Sequence, residues 1–481
     1  MRVSIGQFTF NNEVVSDVML HAKLMEGKTL RELSSIMSRP DLLLREGKGA
    51  AGQLIQRWFG IEPDDTRAEP DLPNVLHDLG EVLGVEIKAI SLRPLKRKGG
   101  LAVKERSSVG MIDYPSLLKQ QWVSSHARNK LCSVLFIFYE YAGKERWIDS
   151  VVRRVLNWRI GGTTEDIMRV DWQVVWQMVY DGRAHELSDS LSKLLSATTK
   201  GPGGRGSEVP QPNSTIMARR RAFALKPAFL RTQWGILKNP SAYQSIETLT
   251  GKRIGGDLQS VIIGSLSPFV GKSLGSISKE LGIKLTSSKS AAAFLLRRSL
   301  GITNDKVRLL EIEEAGVKIK TVPALEKNLM PLEDMSFPAM SLREFGEEDW
   351  EDGEFLCQTE CLLILPVFAK ERKQPKGERI LRQPFFWSPT PTEWEGIEKE
   401  WRMFQKAVNS GAAKVRFEKR GKKMVRKNDL PPASETSFIH TRPHSKNAKD
   451  FDVDPLGNRT SRLCFWFNKK YIQAVLKRHH S

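Results

Sequence analysis

The sequence predicts an α/β protein built as two tandem domains, each a mixed β-sheet flanked by helices. Three observations lead there: segments that recur in the same order in both halves, helical periodicity at the head of each half, and strands rich in β-branched residues behind it.

The recurrence is read from five matches. "GKTLREL" (Gly27 to Leu33) is answered by "GKSLGSI" (Gly271 to Ile277), and "GKGAAGQLIQRWFGI" (Gly47 to Ile61) by "SKSAAAFLLRRSLGI" (Ser288 to Ile302) without a gap. "GVEIKAI" (Gly84 to Ile90) returns as "GVKIKTV" (Gly316 to Val322), and "SVLFIF" (Ser133 to Phe138) as "LLILPVF" (Leu362 to Phe368). "RRAFALKPAFL" (Arg220 to Leu230) parallels "RLCFWFNKKYI" (Arg462 to Ile472). Each match is weak alone; the shared order is what carries weight. The expected domains are 1–235 and 255–481, with 236–254 as linker.

Taken in chain order, Leu30, Leu33 and Ile36 and then Leu54, Ile55, Trp58 and Phe59 recur at helical spacing. The strands follow, bounded by turn residues. "TTKGPGGRGSEVPQPNS" (Thr198 to Ser214) reads as a long loop. "KVRFEKRGKKMVRK" (Lys414 to Lys427) reads as a basic hairpin turning at Gly421. The tryptophans, Trp58, Trp172 and Trp176 among them, read as core residues and not as base-stacking platforms.

Composition narrows the partners. With 75 Lys and Arg against 56 Asp and Glu, the formal charge is +19, which suits nucleic acid ahead of an anionic membrane. The longest apolar runs, such as "LCSVLFIF", are strand-sized, so no membrane span is expected. "MRVSIGQFTFNNEVV" lacks a signal-peptide layout, and the expected compartment is the cytoplasm. Cys357 and Cys361 lie four apart with no second pair, and read as buried thiols, not zinc ligands.

The strand written twice carries the chemistry. In "GVEIKAI", Val85 and Ile87 face one way, Glu86 and Lys88 the other. An E-x-K pair alone is commonly a solvated face. Here Pro70–Asp71 stands upstream, and two carboxylates can share a hard cation such as Mg²⁺, which takes oxygen ligands and keeps several waters. Lys88 on the same face can stabilise charge developing on a phosphate. The second copy has Lys318 in place of Glu86, with Lys320 two residues on, a pair that repels a cation and attracts a phosphate. One copy is therefore expected to cut and the other to bind. A P-loop is rejected, because Gly201, Gly203, Gly204 and Gly206 do not link a strand to a helix. A zincin motif is rejected, because "AHELS" offers no second histidine after His185.

These segments, with "KERSSVGMIDY" (Lys104 to Tyr114), "FYEYAGKERWI", "GRAHELSDSL", "MSFPAM", "HTRPHSKN" (His440 to Asn447) and "FWFNKKYI", resemble the MutH and Sau-type family of DNA endonucleases over nearly the whole chain. The resemblance implies tandem PD-(D/E)xK domains, Mg²⁺-dependent cleavage of double-stranded DNA at GATC, and a second MutH-like domain that binds DNA without cutting. It implies activation by a second site or partner subunit and a cognate methyltransferase as genetic companion; a homodimer on DNA and a single tandem chain both stay open. Carried over by position, Asp71, Glu86 and Lys88 match the catalytic triad, Ile87 stands with Asp71 and Glu86 in the metal set, and Lys48 matches the lysine ahead of the family's helix. Two departures stand out: Gln56 occupies the helix position of a glutamate, and Asp71 precedes Glu86 by fifteen residues, about twice the family's spacing. Asp78, eight residues before Glu86, is the alternative partner.

Candidate DNA contacts are Lys104, Arg106, Lys200, Arg205, Arg220, Arg221 and Lys226 in the first half, and Arg442, His444, Lys446 and Lys449 in the second. The leading function is a type II restriction endonuclease. The alternatives are a MutH-like nicking enzyme of repair and a non-catalytic DNA-binding protein.

Overall fold

The computed structural model describes residues 2–44, 49–62, 69–94, 100–103, 105–200, 208–282, 291–420, 423–444 and 450–480. Contacts divide the chain into two compact units, residues 1–244 with 308–315, and residues 245–307 with 316–481.

In the first unit, after a hairpin (Arg2–Ile5 with Phe8–Asn11) and a helix (Val15–Lys23), helix α1 (Leu30–Ile36) is fixed by a reciprocal cap: the Thr29 side chain accepts from the Glu32 amide, and the Glu32 carboxylate accepts from the Thr29 amide. Helix α2 (Ala50–Trp58) buries Leu54, Ile55 and Trp58, the spacing its sequence announced. The strands used below are β1 (Leu72–Leu76), β2 (Val82–Pro94), β3 (Ser107–Met111), β4 (Ser133–Glu140), β5 (Val151–Arg159), β6 (Leu195–Thr199) and β7 (Arg221–Leu225). One sheet runs β1-β2-β4-β5, with β2 and β4 parallel and the outer pairs antiparallel. A second runs β3-β7-β6. Strand β4 is apolar and buried over nearly its length, as a central strand covered on both faces must be. Helices α3 (His126–Leu131), α4 (Gly162–Tyr180) and α5 (Pro227–Lys238) complete the set used below.

The second unit repeats the plan. Helices α6 (Leu274–Glu280) and α7 (Ala291–Ser299) precede strand β8 (Lys318–Leu325), then β9 (Met335–Ala339) and β10 (Leu362–Ala369). Strand β10 pairs parallel with β8 and antiparallel with β11 (Ile380–Leu381) and β12 (Phe385–Trp387). Helix α8 (Pro391–Asn409) has the 19 residues of α4. After it come β13 (Arg416–Arg420), β14 (Lys423–Lys427), β15 (Ile439–Pro443), β16 (Leu463–Phe467) and helix α9 (Lys469–His480). The sheet β9-β16-β15 reproduces β3-β7-β6. The agreement reaches single hydrogen bonds. Gly27 and Gly271 both take φ +82, where glycine is at ease. The Gly27 amide donates to the Val152 carbonyl and that of Gly271 to the Leu381 carbonyl, each at 2.8 Å.

Other expectations meet their places. Trp58 and Trp172 are buried, and Cys357 and Cys361 are buried and outside any disulfide. Residues 414–427 supply the antiparallel pair β13 and β14; the expected turn at Gly421 lies outside the described residues. Of the tract 198–214, residues 198–199 end β6 and Glu208–Val209 pair with Ala218–Arg219; residues 201–207 lie outside the described residues. No helix among the described residues is long and apolar enough to cross a membrane.

Residues 308–315 belong to the first unit although both flanks belong to the second. Arg308–Leu309 pair in parallel with Tyr243–Gln244. In the short helix Leu310–Glu314, Glu314 is buried and accepts from Thr164 Oγ1 at 2.9 Å and from Gln233 Nε2 at 2.7 Å. Burial pushes its carboxyl up to about 8 from an ordinary 4.5; the two donors pull it down and the charge of Glu311 adds to the rise. A carboxyl whose proton is held more tightly when folded supports the fold at low pH, and that support fades as pH rises through about 8. Glu314→Gln keeps the shape without the ionisation. Its unfolding midpoint should therefore fall less than wild type between about pH 6 and pH 9; thermal melts across that range check this.

Candidate active site

Three elements of the first unit converge on Glu86. Strand β2 presents Glu86 and Lys88 on one face, and the Lys88 ammonium meets Glu86 Oε1 at 2.6 Å. The β1–β2 hairpin returns Asp71 to the same place: Leu72 pairs with Val85, and Asp71 Oδ2 accepts from the Ile87 amide at 2.8 Å. From α2, Gln56 Nε2 donates to the other oxygen of Asp71 at 3.1 Å.

The hairpin explains the long spacing. "LPNVLHDLGEVL" is two antiparallel strands and their turn, so fifteen residues of chain close on themselves. Asp78 lies exposed at the turn, and it is Asp71 that stands beside Ile87. The approach depends on Gly84: a Cβ there would lie 2.4 Å from Pro70 Cγ. Gly84→Ala must push Pro70, and Asp71 with it, off β2. The expected result is about a hundredfold slower cleavage, since ~1 Å of misplacement costs that much. Cleavage rates measured beside a far-UV spectrum separate this from unfolding.

The two carboxylates of the site are unevenly compensated. Glu86 is 3% exposed, and its second oxygen, Oε2, is buried with no hydrogen-bond partner. Burial raises the Asp71 carboxyl above its ordinary value, and the Glu86 charge raises it further; the Ile87 amide, Lys88 and Lys130 oppose the rise. Two mutually repelling carboxylates with an orphaned oxygen match the donor set of a hard divalent cation that keeps part of its water. Among the described residues, no three His, Cys, Asp or Glu side chains gather as a fuller cage.

One member of the site escaped the sequence reading. Lys130, on α3, brings its ammonium to 3.5 Å from Glu86 Oε1. The signal was its place just ahead of "SVLFIF": Ser133 pairs with Val85, which sets the start of β4 level with Glu86. Lys48 lies outside the described residues.

The candidate DNA contacts divide. Arg220 is exposed at the end of the β6–β7 pair, where its carbonyl accepts from the Lys200 amide at 2.9 Å. Arg106, Arg221 and Lys226 lie inside the first unit. Arg106 meets Asp189 at 2.7 Å, Arg221 donates to the Ala197 carbonyl at 2.7 Å, and Lys226, 3% exposed, neighbours the buried Asp171. Lys104, Arg205, Lys446 and Lys449 lie outside the described residues. In the second unit, Arg442 is half exposed and pairs with Asp334 at 2.8 Å, and His444 is exposed.

The second unit's matching strand is arranged otherwise. Lys320 Nζ donates to the Ser336 carbonyl at 2.6 Å and stands 4.2 Å over the Phe337 ring. A cavity of about 790 Å³ opens there, lined by Lys320, Lys376, Arg379 and His444, with Glu333 and Asp334 as its acidic members. Lys318 holds the position of Glu86.

Glu86 and Asp71, with Lys88 and Lys130 beside Glu86, stand on a mixed sheet whose second copy lacks the glutamate. The family model described as "DNA mismatch repair enzyme MutH" matches residues 59–171 and 300–400, one segment in each half. The chain is similar to the type II restriction enzyme Sau3AI of Staphylococcus aureus, 25% identical over 477 residues that cover 93% of this chain and 91% of that protein. It is similar to the DNA mismatch repair protein MutH of Haemophilus influenzae (strain 86-028NP), 24% identical over 220 residues, 45% of this chain and 93% of the relative. With MutH of Pectobacterium atrosepticum the identity is 28% over 221 residues, 44% of this chain and 87% of the relative. The matches in both halves support a MutH-like family of DNA endonucleases.

Proposed function

We propose that this chain is a type II restriction endonuclease of the PD-(D/E)xK kind, hydrolysing double-stranded DNA with Mg²⁺ at GATC or a related short site. The first unit cuts, and the second binds DNA without cutting. The observation that carries the reading is the contrast at one strand position: Glu86 with its orphaned oxygen in one copy, Lys318 in the other.

Asp71, Glu86 and the Ile87 carbonyl would hold the cation. When bound, it supplies Lewis acidity at the scissile phosphate. The Ile87 amide and Gln56 fix the Asp71 carboxylate, so its orientation does not have to be found anew in each turnover. Lys88 and Lys130 keep two positive charges at Glu86, placed to stabilise negative charge as it develops on the phosphate. Arg220, Lys200, Arg442 and His444 are the described candidates for contacts that hold the duplex. One live centre per chain reaches one strand at a time, which favours a pair of chains on a site. The cytoplasm is the proposed compartment, and a methyltransferase protecting the same site the genetic companion.

A supercoiled plasmid incubated with Mg²⁺ tests the reading. Discrete linear fragments support it. Open circles alone favour the nicking repair enzyme, and band shifts without cutting favour a DNA-binding protein.

A further inference from the structure

The hairpin of β13 and β14 has no part in the site described. It forms a two-stranded sheet of its own, and residues 414–427 hold eight Lys or Arg against one Glu. Its base is anchored: the Val415 amide donates to the Arg459 carbonyl at 3.0 Å, the Asp429 amide to the Ala412 carbonyl at 2.8 Å, and Arg426 stacks 3.9 Å over Phe451.

The pairing register sorts its side chains. Phe417 faces Arg426 and Lys419 faces Met424, so these four share one face; Arg416, Glu418, Val425 and Lys427 share the other. On the second face Lys427 meets Glu418 at 2.6 Å and Arg416 pairs with Asp429. The first face is unusual. Phe417 and Met424 are diagonal neighbours, 54% and 61% exposed, with the exposed Lys419 beside them. Large apolar side chains bared on a strongly cationic ribbon suit a partner that is anionic at its edges and apolar within.

We propose that this hairpin lies in the major groove of duplex DNA, Phe417 and Met424 against the base edges and the Lys and Arg side chains toward the phosphates. A two-stranded ribbon fits that groove, about 12 Å wide, where thymine methyls offer apolar contact. The proposal rests on the DNA-cutting reading above and adds to it a base-contacting element of the second unit.

The test uses the full chain carrying Glu86→Gln, a 30-base-pair duplex taken from a plasmid cleavage site of the parent, and fluorescence anisotropy at several salt concentrations. Adding Phe417→Ser with Met424→Ser keeps every charge. The expected result is at least about tenfold weaker binding with an unchanged salt slope, since apolar contacts release no counterions. Adding Lys419→Ala instead should lower the slope by about one. Both positions are exposed, so an unchanged thermal midpoint confirms that the fold is kept. Binding of the double variant within twofold of its parent overturns the proposal. So does loss of binding to phosphatidylserine vesicles with DNA affinity intact, which would make the hairpin a membrane contact. A parent chain that binds no duplex at all sinks the DNA reading itself, a different outcome.

Discussion

Glu86→Gln should lower DNA cleavage by at least about a thousandfold while leaving duplex affinity within a few-fold of wild type. The glutamine is isosteric and keeps a carbonyl oxygen toward Lys88, but it removes the charge that draws a cation and that balances two lysines. Glu86 is nearly solvent-free, so water cannot replace what the carboxylate did. Binding should survive because the contacts proposed to hold the duplex lie elsewhere, at Arg220, Lys200, Arg442 and His444. Cleavage of a labelled duplex and its retention on a gel, measured in parallel, separate the two effects. Loss of both together would mean that Glu86 shapes the DNA surface and is not a catalytic group.

Asp71→Asn should abolish cutting to a similar degree and make the metal-free protein more stable. The reason is the sign of its shift. Burial and the Glu86 charge raise the Asp71 carboxyl, so the folded chain holds that proton more tightly than the unfolded one. The group supports the fold at low pH, and the support is lost as pH rises through the raised value; at neutral pH the ionised Asp71 is a net cost. Asparagine removes the cost and can still accept from the Ile87 amide. The expected gain is about 2 °C in the unfolding midpoint without metal, shrinking when Mg²⁺ is added, because only wild type gains from the cation. Cutting by wild type should fail on acidification at a higher pH than an ordinary carboxylate would set. An Asp71→Asn protein that melts below wild type would show that Asp71 is chiefly a structural acceptor.

Much of this was legible in residue order. The repeat could be read because paired positions carry the same physical demands: Gly27 and Gly271 take the same left-handed turn, and the strand cores face the same pairing. Glu86 and Lys88 were legible because alternation in a strand puts them on one face whatever the fold. Partners brought by pairing were harder. Lys130 lies 44 residues after Glu86 and carries no motif of its own beyond its place ahead of "SVLFIF"; its nearness comes from the parallel pairing of β2 with β4. The choice between Asp71 and Asp78 turned on a hairpin register that spacing could not supply. Arg106, Arg221 and Lys226 read as surface cations because a basic residue shows its charge in the sequence but not its buried acceptor. The return of residues 308–315 to the first unit was likewise invisible, since buried Glu311 and Glu314 look like any acidic helix turn.

The central claim is that one copy cuts and the other does not. The most direct measurement is a plasmid digest with Mg²⁺ comparing wild type, Glu86→Gln and Lys318→Ala. Discrete fragments from wild type and from Lys318→Ala, with none from Glu86→Gln, are what the account predicts. Fragments that persist in Glu86→Gln, or vanish in Lys318→Ala while DNA binding is retained, would place chemistry in the second unit and contradict it.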